Sequence, residues 1–188
     1  MSILKELLKT QVSEMIHAPD GALYSIDPPE TLFGALYFSH MIPPFKPESS
    51  LILGYGEGTV ANLMRKIWGN DIMVTGVDVQ KYDWKFVEYK MKVMDAYEYV
   101  KDCTDSIFKT KFDYICVDVW DGKKCQDFVF WPEFAVRLKE MCKKMVCINT
   151  EADRFKDLRG FYDYGFEFER HTQIDGNIVS WWSVVDSK

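Results

Sequence analysis

The residues of this chain that can do chemistry are glycines and acids placed at the ends of short apolar runs. Gly54-Tyr55-Gly56-Glu57-Gly58 follows one such run and precedes an amphipathic stretch. Glycines at a strand-to-helix turn let backbone approach a ligand closely and aim free N–H groups at it. The spacing is GxGxG, not GxGxxG. A dinucleotide's pyrophosphate needs the third glycine one residue later, so the spacing favours a nucleoside of the S-adenosylmethionine type. Tight strand–helix packing would use the same glycines. Asp78, 24 residues after Gly54, ends the next apolar run, where a carboxylate can accept both hydroxyls of a ribose. Asp95 in Met94-Asp95-Ala96 has two candidate roles, accepting from an adenine amino group and capping a helix that starts at Ala96.

Asp118 and Asp121, in Cys116-Val117-Asp118-Val119-Trp120-Asp121-Gly122, form the second group. Two neighbouring carboxylates bind a cationic amine, and one with a raised pKa takes its proton ahead of attack. Strand-end aspartates also serve as plain turn formers. Glu57 adds negative charge to the same rim, so the expected ligand is cationic. Trp120, between the two aspartates, suits core packing or a flat wall beside the ligand. Trp181 and Trp182 should point to opposite faces of one strand, one into the core and the other to the surface or an interface.

These residues need a scaffold that brings strand ends together. Ser50–Gly54, Ile72–Val77, Tyr114–Val119 and Met145–Ile148 are continuous apolar runs, the pattern of strands buried on both faces of a parallel sheet. Candidate helices at Thr59–Trp68, Ala96–Cys103 and Phe128–Lys143 alternate with them. The fold class is α/β, a doubly wound, mostly parallel sheet. It ends in an antiparallel hairpin, because Phe166–Ile174 and Ile178–Val185 flank Asp175-Gly176-Asn177. Phe86 to Val93 reads as a further strand, so the crossover after Asp78 is cut to a turn around Lys81–Lys85. That leaves a patch of sheet for Tyr82, Trp84 or another subunit of a homo-oligomer to cover. Ahead of the core, residues 3–16 carry apolar residues at helical spacing, Thr31–Met41 reads as a second helix, and Pro43, Pro44 and Pro47 stop it. One domain over 1–188 follows, with a helical extension over 1–47 and the core over 48–188.

Length and composition narrow the function classes. With 188 residues, 47% of them apolar, the chain suits one globular core. Its net charge of -6 argues against a broad phosphate-binding face, and Lys81, Lys85, Lys90 and Lys92 make only a modest basic patch. The expected partner is a small-molecule substrate, with no nucleic acid. Five cysteines without a CxxC pair suggest neither a zinc site nor a disulfide framework, and no metal is expected from three scattered histidines. Neither a signal peptide nor a membrane span is visible, so the expected location is the cytoplasm, away from membranes.

With the residues in place, LILGYGEG, GVDV, MDAYEY and FDYICVDVWDG resemble, in that order, the catalytic domain of the polyamine (spermidine/spermine) synthase family. The likeness runs roughly from His40 to Thr150, and the VDxxDG segment is its most specific part. It implies the Rossmann-like class I S-adenosylmethionine methyltransferase fold. It also implies that Asp78 holds the ribose, Asp95 the adenine amino group, Glu57 the amino-alkyl arm, and Asp118 with Asp121 the acceptor amine. Gly54, Gly56 and Gly58 would shape the donor's cradle. The family's N-terminal β-hairpin domain is not expected in the helical-looking residues before Gly54, and Gly122-Lys123-Lys124-Cys125 stands where its proline-containing lid would follow. The expected activity is transfer from S-adenosylmethionine to a small amine-containing acceptor, methyl transfer being favoured. Aminopropyl transfer from decarboxylated S-adenosylmethionine and a non-catalytic nucleoside-binding module are the alternatives.

Overall fold

The computed structural model describes residues 37–56, 58–81, 90–107, 109–121, 124–174 and 176–185, and the backbone of 15–17 and 23–25. Strands β1 (Met15–His17) and β2 (Leu23–Ser25) pair antiparallel, with Ile16 opposite Tyr24. The helix expected over 3–16 is therefore wrong at its end, and residues 3–14 lie outside the described residues. Asp20-Gly21, a hairpin signal between two β-capable runs, overrides the helical spacing that reaches into Met15 and Ile16. Of the second expected helix, Tyr37–Met41 is a 3₁₀ turn, and 31–36 are outside the described residues. Pro43 disfavours helical backbone at Ile42, which leaves room for little more than one turn. Phe38, Met41 and Ile42 are buried, and the Tyr114 hydroxyl donates to the Met41 carbonyl, so this turn is fastened to the sheet.

The core then runs β3 (Ser49–Leu53), α1 (Thr59–Trp68), β4 (Met73–Asp78), β5 (Lys90–Val93), α2 (Ala96–Asp105) and β6 (Phe112–Val117). A small hairpin follows, β7 (Trp120–Asp121) with β8 (Lys124–Cys125), then a 3₁₀ turn at Asp127–Phe130 and helix α3 (Pro132–Met141). Strand β9 (Cys142–Glu151), a 3₁₀ segment Phe155–Tyr164, β10 (Phe166–Ile174) and β11 (Asn177–Val184) complete it. The helix expected over Phe128–Lys143 is thus split and shortened. Pro132 holds Trp131 in extended backbone and starts α3 itself, while Cys142 and Lys143 belong to β9.

The seven-stranded sheet has the order β10-β11-β9-β6-β3-β4-β5. The strands from β9 to β5 are parallel, β11 runs antiparallel to β9, and β10 antiparallel to β11. The chain moves outward from β3 to β4 and β5, then returns to lay β6 on the other side of β3. That reversal opens a crevice at the carboxyl ends of β3 and β6, where open α/β sheets bind ligands. Strand β5 pairs with β4 from Thr75↔Lys90 to Asp78↔Val93. Of the strand expected over Phe86–Val93, residues 86–89, like Tyr82 and Trp84, lie outside the described residues.

Alternation along the strands splits the core in two. Leu51, Leu53, Ile115, Val117 and Trp182 pack with α2, α3 and Leu158 on one face. Ile52, Tyr114, Cys116, Cys147 and Trp181 pack with α1 and the 37–42 turn on the other. Trp181 and Trp182 do point to opposite faces, but both are 2% exposed, against the expectation of one ring at the surface or an interface. Strand β11 lies between β9 and β10 with layers on both sides, so neither ring meets water. Burial pushes the Cys116 and Cys147 thiols well up, which fits packing residues. No helix among the described residues is long and apolar enough to cross a membrane.

Candidate functional site

Strand β3 gives way to α1 at the glycine loop, and the loop's glycines are needed for different reasons. Gly54 has φ 79°, and a Cβ there would lie inside the Asp118 carbonyl. The Gly54 N–H donates to the Val77 carbonyl at 2.9 Å, and the Asp118 N–H to the Leu53 carbonyl at 2.8 Å. Gly54 is the contact point of three strand ends. The Tyr55 ring, 4% exposed, turns down beneath the loop. A Cβ on Gly58 would sit 2.7 Å from its hydroxyl oxygen, and one on Gly76 in β4 would overlap its ring and the Met91 sulfur. Of the loop's three glycines, Gly56 is the one that faces open space: nothing lies within 4 Å of a Cβ built there.

Asp78 ties this loop to β4. One carboxylate oxygen accepts from the Gly56 N–H at 2.8 Å and the other from the Gln80 N–H at 2.9 Å. The side chain is 9% exposed. Burial raises its pKa above the ordinary aspartate value, against the lowering pull of the Gln80, Gly56 and Val79 N–H groups. The result is a carboxylate fixed in place by backbone donors, at the edge of the space over Gly56. Glu57 lies outside the described residues.

Asp95 is exposed and caps α2, with one oxygen accepting from Tyr97 N–H at 2.8 Å and Glu98 N–H at 3.1 Å. The capping role read from the sequence is therefore present. Asp118, at the end of β6, is half-buried. Its Oδ1 accepts from the Trp120 indole N–H and from the Asn149 amide, each at 2.8 Å. Asp121 stands apart from this cluster, exposed in β7 opposite Lys124. Trp120 packs against the core and also orients Asp118, so both of its readings have a share.

Asn149 and Glu151 are additions from the structure. Parallel pairing of β6 with β9, Val117↔Ile148, sets Asn149 beside Asp118. Glu151, two residues on, accepts from the Cys125 N–H of the β7–β8 hairpin at 2.8 Å. Arg154 pins the same hairpin, bonding the Cys125 carbonyl at 3.2 Å and Asp127 at 2.8 Å while lying 3.8 Å over the Phe130 ring. In the sequence the only sign of Asn149 is an amide at the mouth of an apolar run. For Tyr55 the sign is Gly76 within a buried strand, a mark of close approach.

No protein-family model matches the chain, and no curated protein matches it in sequence. Solved structures do match in fold. A Streptococcus mutans protein assigned as a SAM-dependent methyltransferase superposes with TM-score 0.62 at 14% identity, over 94% of this chain and 56% of that one. The ribosomal protein L11 methylase of Lactobacillus delbrueckii subsp. bulgaricus gives 0.56 at 12% identity, over 76% and 72%. Aeropyrum pernix fibrillarin, solved with natively bound S-adenosyl-L-methionine, gives 0.52 at 16% identity, over 72% and 66%. The chain has the class I methyltransferase fold, a Rossmann-like parallel sheet closed by an antiparallel pair. It spans a little over half the length of the Streptococcus protein.

Proposed function

We propose that this chain binds S-adenosylmethionine and transfers its methyl group to a small acceptor. The observation that carries the reading is the Gly56–Asp78 pair. A glycine with open space above it is bonded to a buried, immobile carboxylate at the switch point of a doubly wound sheet. An acceptor-only group there suits the two hydroxyls of a ribose. The bound nucleoside supplies a methyl group already activated on a sulfonium sulfur. The chain's part is then positioning and proton removal: Asp118, oriented by Trp120 and Asn149, takes the proton of the acceptor. Asp121, exposed on the neighbouring β7–β8 hairpin, adds a further negative charge beyond that cluster.

That acidic rim also favours a second reading. Asp118 and Asp121 would repel the carboxylate of S-adenosylmethionine, which the decarboxylated donor lacks, and aminopropyl transfer would follow. Calorimetry with S-adenosylmethionine, its decarboxylated form and methylthioadenosine separates the readings. We expect S-adenosylmethionine to bind, and Asp78→Ala to weaken it tenfold to a hundredfold, since hydrogen bonds to a charged group contribute about 1.5–3 kcal/mol. Binding of none of the three would sink the proposal, and a preference for the decarboxylated donor would select aminopropyl transfer.

A further inference from the structure

The Tyr55 side chain lies in the core layer that Ile52, Met64 and Val74 share on the α1 face of the sheet. A Cβ on Gly76 would stand 2.4 Å from Cδ2 of its ring and 2.5 Å from the Met91 sulfur. Ring and sulfur thus meet over that glycine within about 5 Å, the range of a sulfur–aromatic contact. A Cβ on Gly58, the N-cap of α1, would stand 2.7 Å from the hydroxyl oxygen and 2.9 Å from Cε1. Cδ2 and Cε1 belong to opposite edges of the ring. The ring is therefore wedged between β4 and the start of α1, and both positions it presses on are glycine.

The backbone around the ring is fastened from the other side. The Gly54 and Tyr55 N–H groups donate to the Val77 carbonyl at 2.9 and 3.0 Å, and the Gly56 N–H donates to Asp78 at 2.8 Å. The Gly58 N–H closes the turn on the Tyr55 carbonyl at 3.0 Å. Three successive N–H groups draw the loop toward the end of β4, while the ring resists at Gly76, one residue earlier on the same strand. These opposed contacts leave one height for Gly56, which has φ 53° and no side chain of its own to restrict it.

We propose that Tyr55 is the positioning residue of the donor site: its ring sets the height of the glycine loop and so holds the Gly56 N–H on the Asp78 carboxylate before a nucleoside arrives. Gly76 is the counterpart of that ring, and the two act as a unit. Ordering the loop ahead of binding raises affinity, because the donor does not have to order it. The inference deepens the donor-binding reading and rests on it for its consequence, while the positioning itself is tested without a donor.

Amide NMR of the whole chain across the aspartate titration range reads the two Asp78 hydrogen bonds separately, at Gly56 and at Gln80. Both signals should move with the Asp78 carboxyl in the wild type and in Tyr55→Phe, and both responses should vanish in Asp78→Asn. In Tyr55→Ala, or in Tyr55→Leu if the alanine variant does not fold, the Gly56 response should be lost and the Gln80 response kept. Calorimetry should show S-adenosylmethionine bound roughly tenfold more weakly by Tyr55→Ala and by Gly76→Ala, with Tyr55→Phe within about twofold of the wild type. Adding Gly76→Ala to Tyr55→Ala should change the affinity less than about twofold, because the new methyl group and the displaced Met91 enter space the ring has left. An unchanged Gly56 response in the folded Tyr55→Ala or Tyr55→Leu variant overturns the inference, as does the same loss of affinity from Gly76→Ala in both backgrounds. A wild type that binds no S-adenosylmethionine, while Gly56 and Gln80 respond as stated, overturns the donor-binding reading alone.

Discussion

The two halves of the crevice are built on opposite principles. On the β3–β4 side the loop is filled from below: Tyr55 occupies the room left by Gly58 and Gly76, and both Asp78 oxygens hold backbone N–H groups. On the β6–β9 side Asp118 is held by two side chains, and neighbouring oxygens of Asn149 and Glu151 stay buried without a described partner. A half that satisfies itself presents one fixed shape, which suits a single donor molecule. A half that leaves acceptors unsatisfied depends on what enters for its last hydrogen bonds, which suits recognition of a particular acceptor.

The sharpest break in this comparison comes from two glycines of one loop. Gly54→Ala puts a methyl group into the Asp118 carbonyl and disturbs both halves at once. Overpacking of about 1–3 kcal/mol adds to roughly 1–2 kcal/mol for left-handed backbone. Thermal unfolding should then fall by about 10 °C, a few degrees for each kcal/mol at this size. Gly56→Ala meets no atom within 4 Å, so its loss should be near the backbone cost alone, while calorimetry shows donor affinity falling because the methyl group enters the space above the loop. Equal stability losses in the two variants would refute the division of roles.

A smaller effect separates the halves by pH. Burial raises the Asp78 pKa, so the folded chain holds this proton more tightly than the unfolded one. Asp78 then contributes a loss of stability as pH rises from the ordinary aspartate value through the raised one. Donor affinity should move the other way and increase over the same window, because the carboxylate is the better acceptor for a ribose. Comparing wild type with Asp78→Asn by chemical denaturation and calorimetry across that window checks both signs, and parallel slopes in the two proteins would count against them.

The smallest effect concerns Asp95. Asp95→Ala should cost about 1 kcal/mol through the lost cap, and Asp95→Ser should restore it. A drop in donor affinity in the Ser variant at full stability would add an adenine contact to the cap. Unchanged affinity would confine Asp95 to α2.

How far the sequence could be read depended on how local each cause was. Strand β4 was legible within a residue of its ends because a continuous apolar run meets no competing signal. The helix expected through Phe128–Lys143 failed where Pro132 acts on its neighbour, a local effect that a count of apolar residues passes over. The expectation that one of Trp181 and Trp182 meets the surface or an interface failed for a different reason, since the burial of Trp182 depends on Leu158 and Phe161 arriving from the preceding 3₁₀ segment.

By itself the sequence determined the alternation of the main strands and helices of the core, the glycine turn after β3, the acid that ends β4 and the cap on α2. Each rests on sterics, hydrogen bonding or periodicity within a few residues. Only the tertiary structure decided that Asp118 leans on Gly54, that Tyr55 lies under Gly76, and that Asn149 reaches Asp118 across 31 residues of chain. Those contacts depend on the register of neighbouring strands. Register follows from packing both faces of the sheet at once, so no short window of sequence contains it.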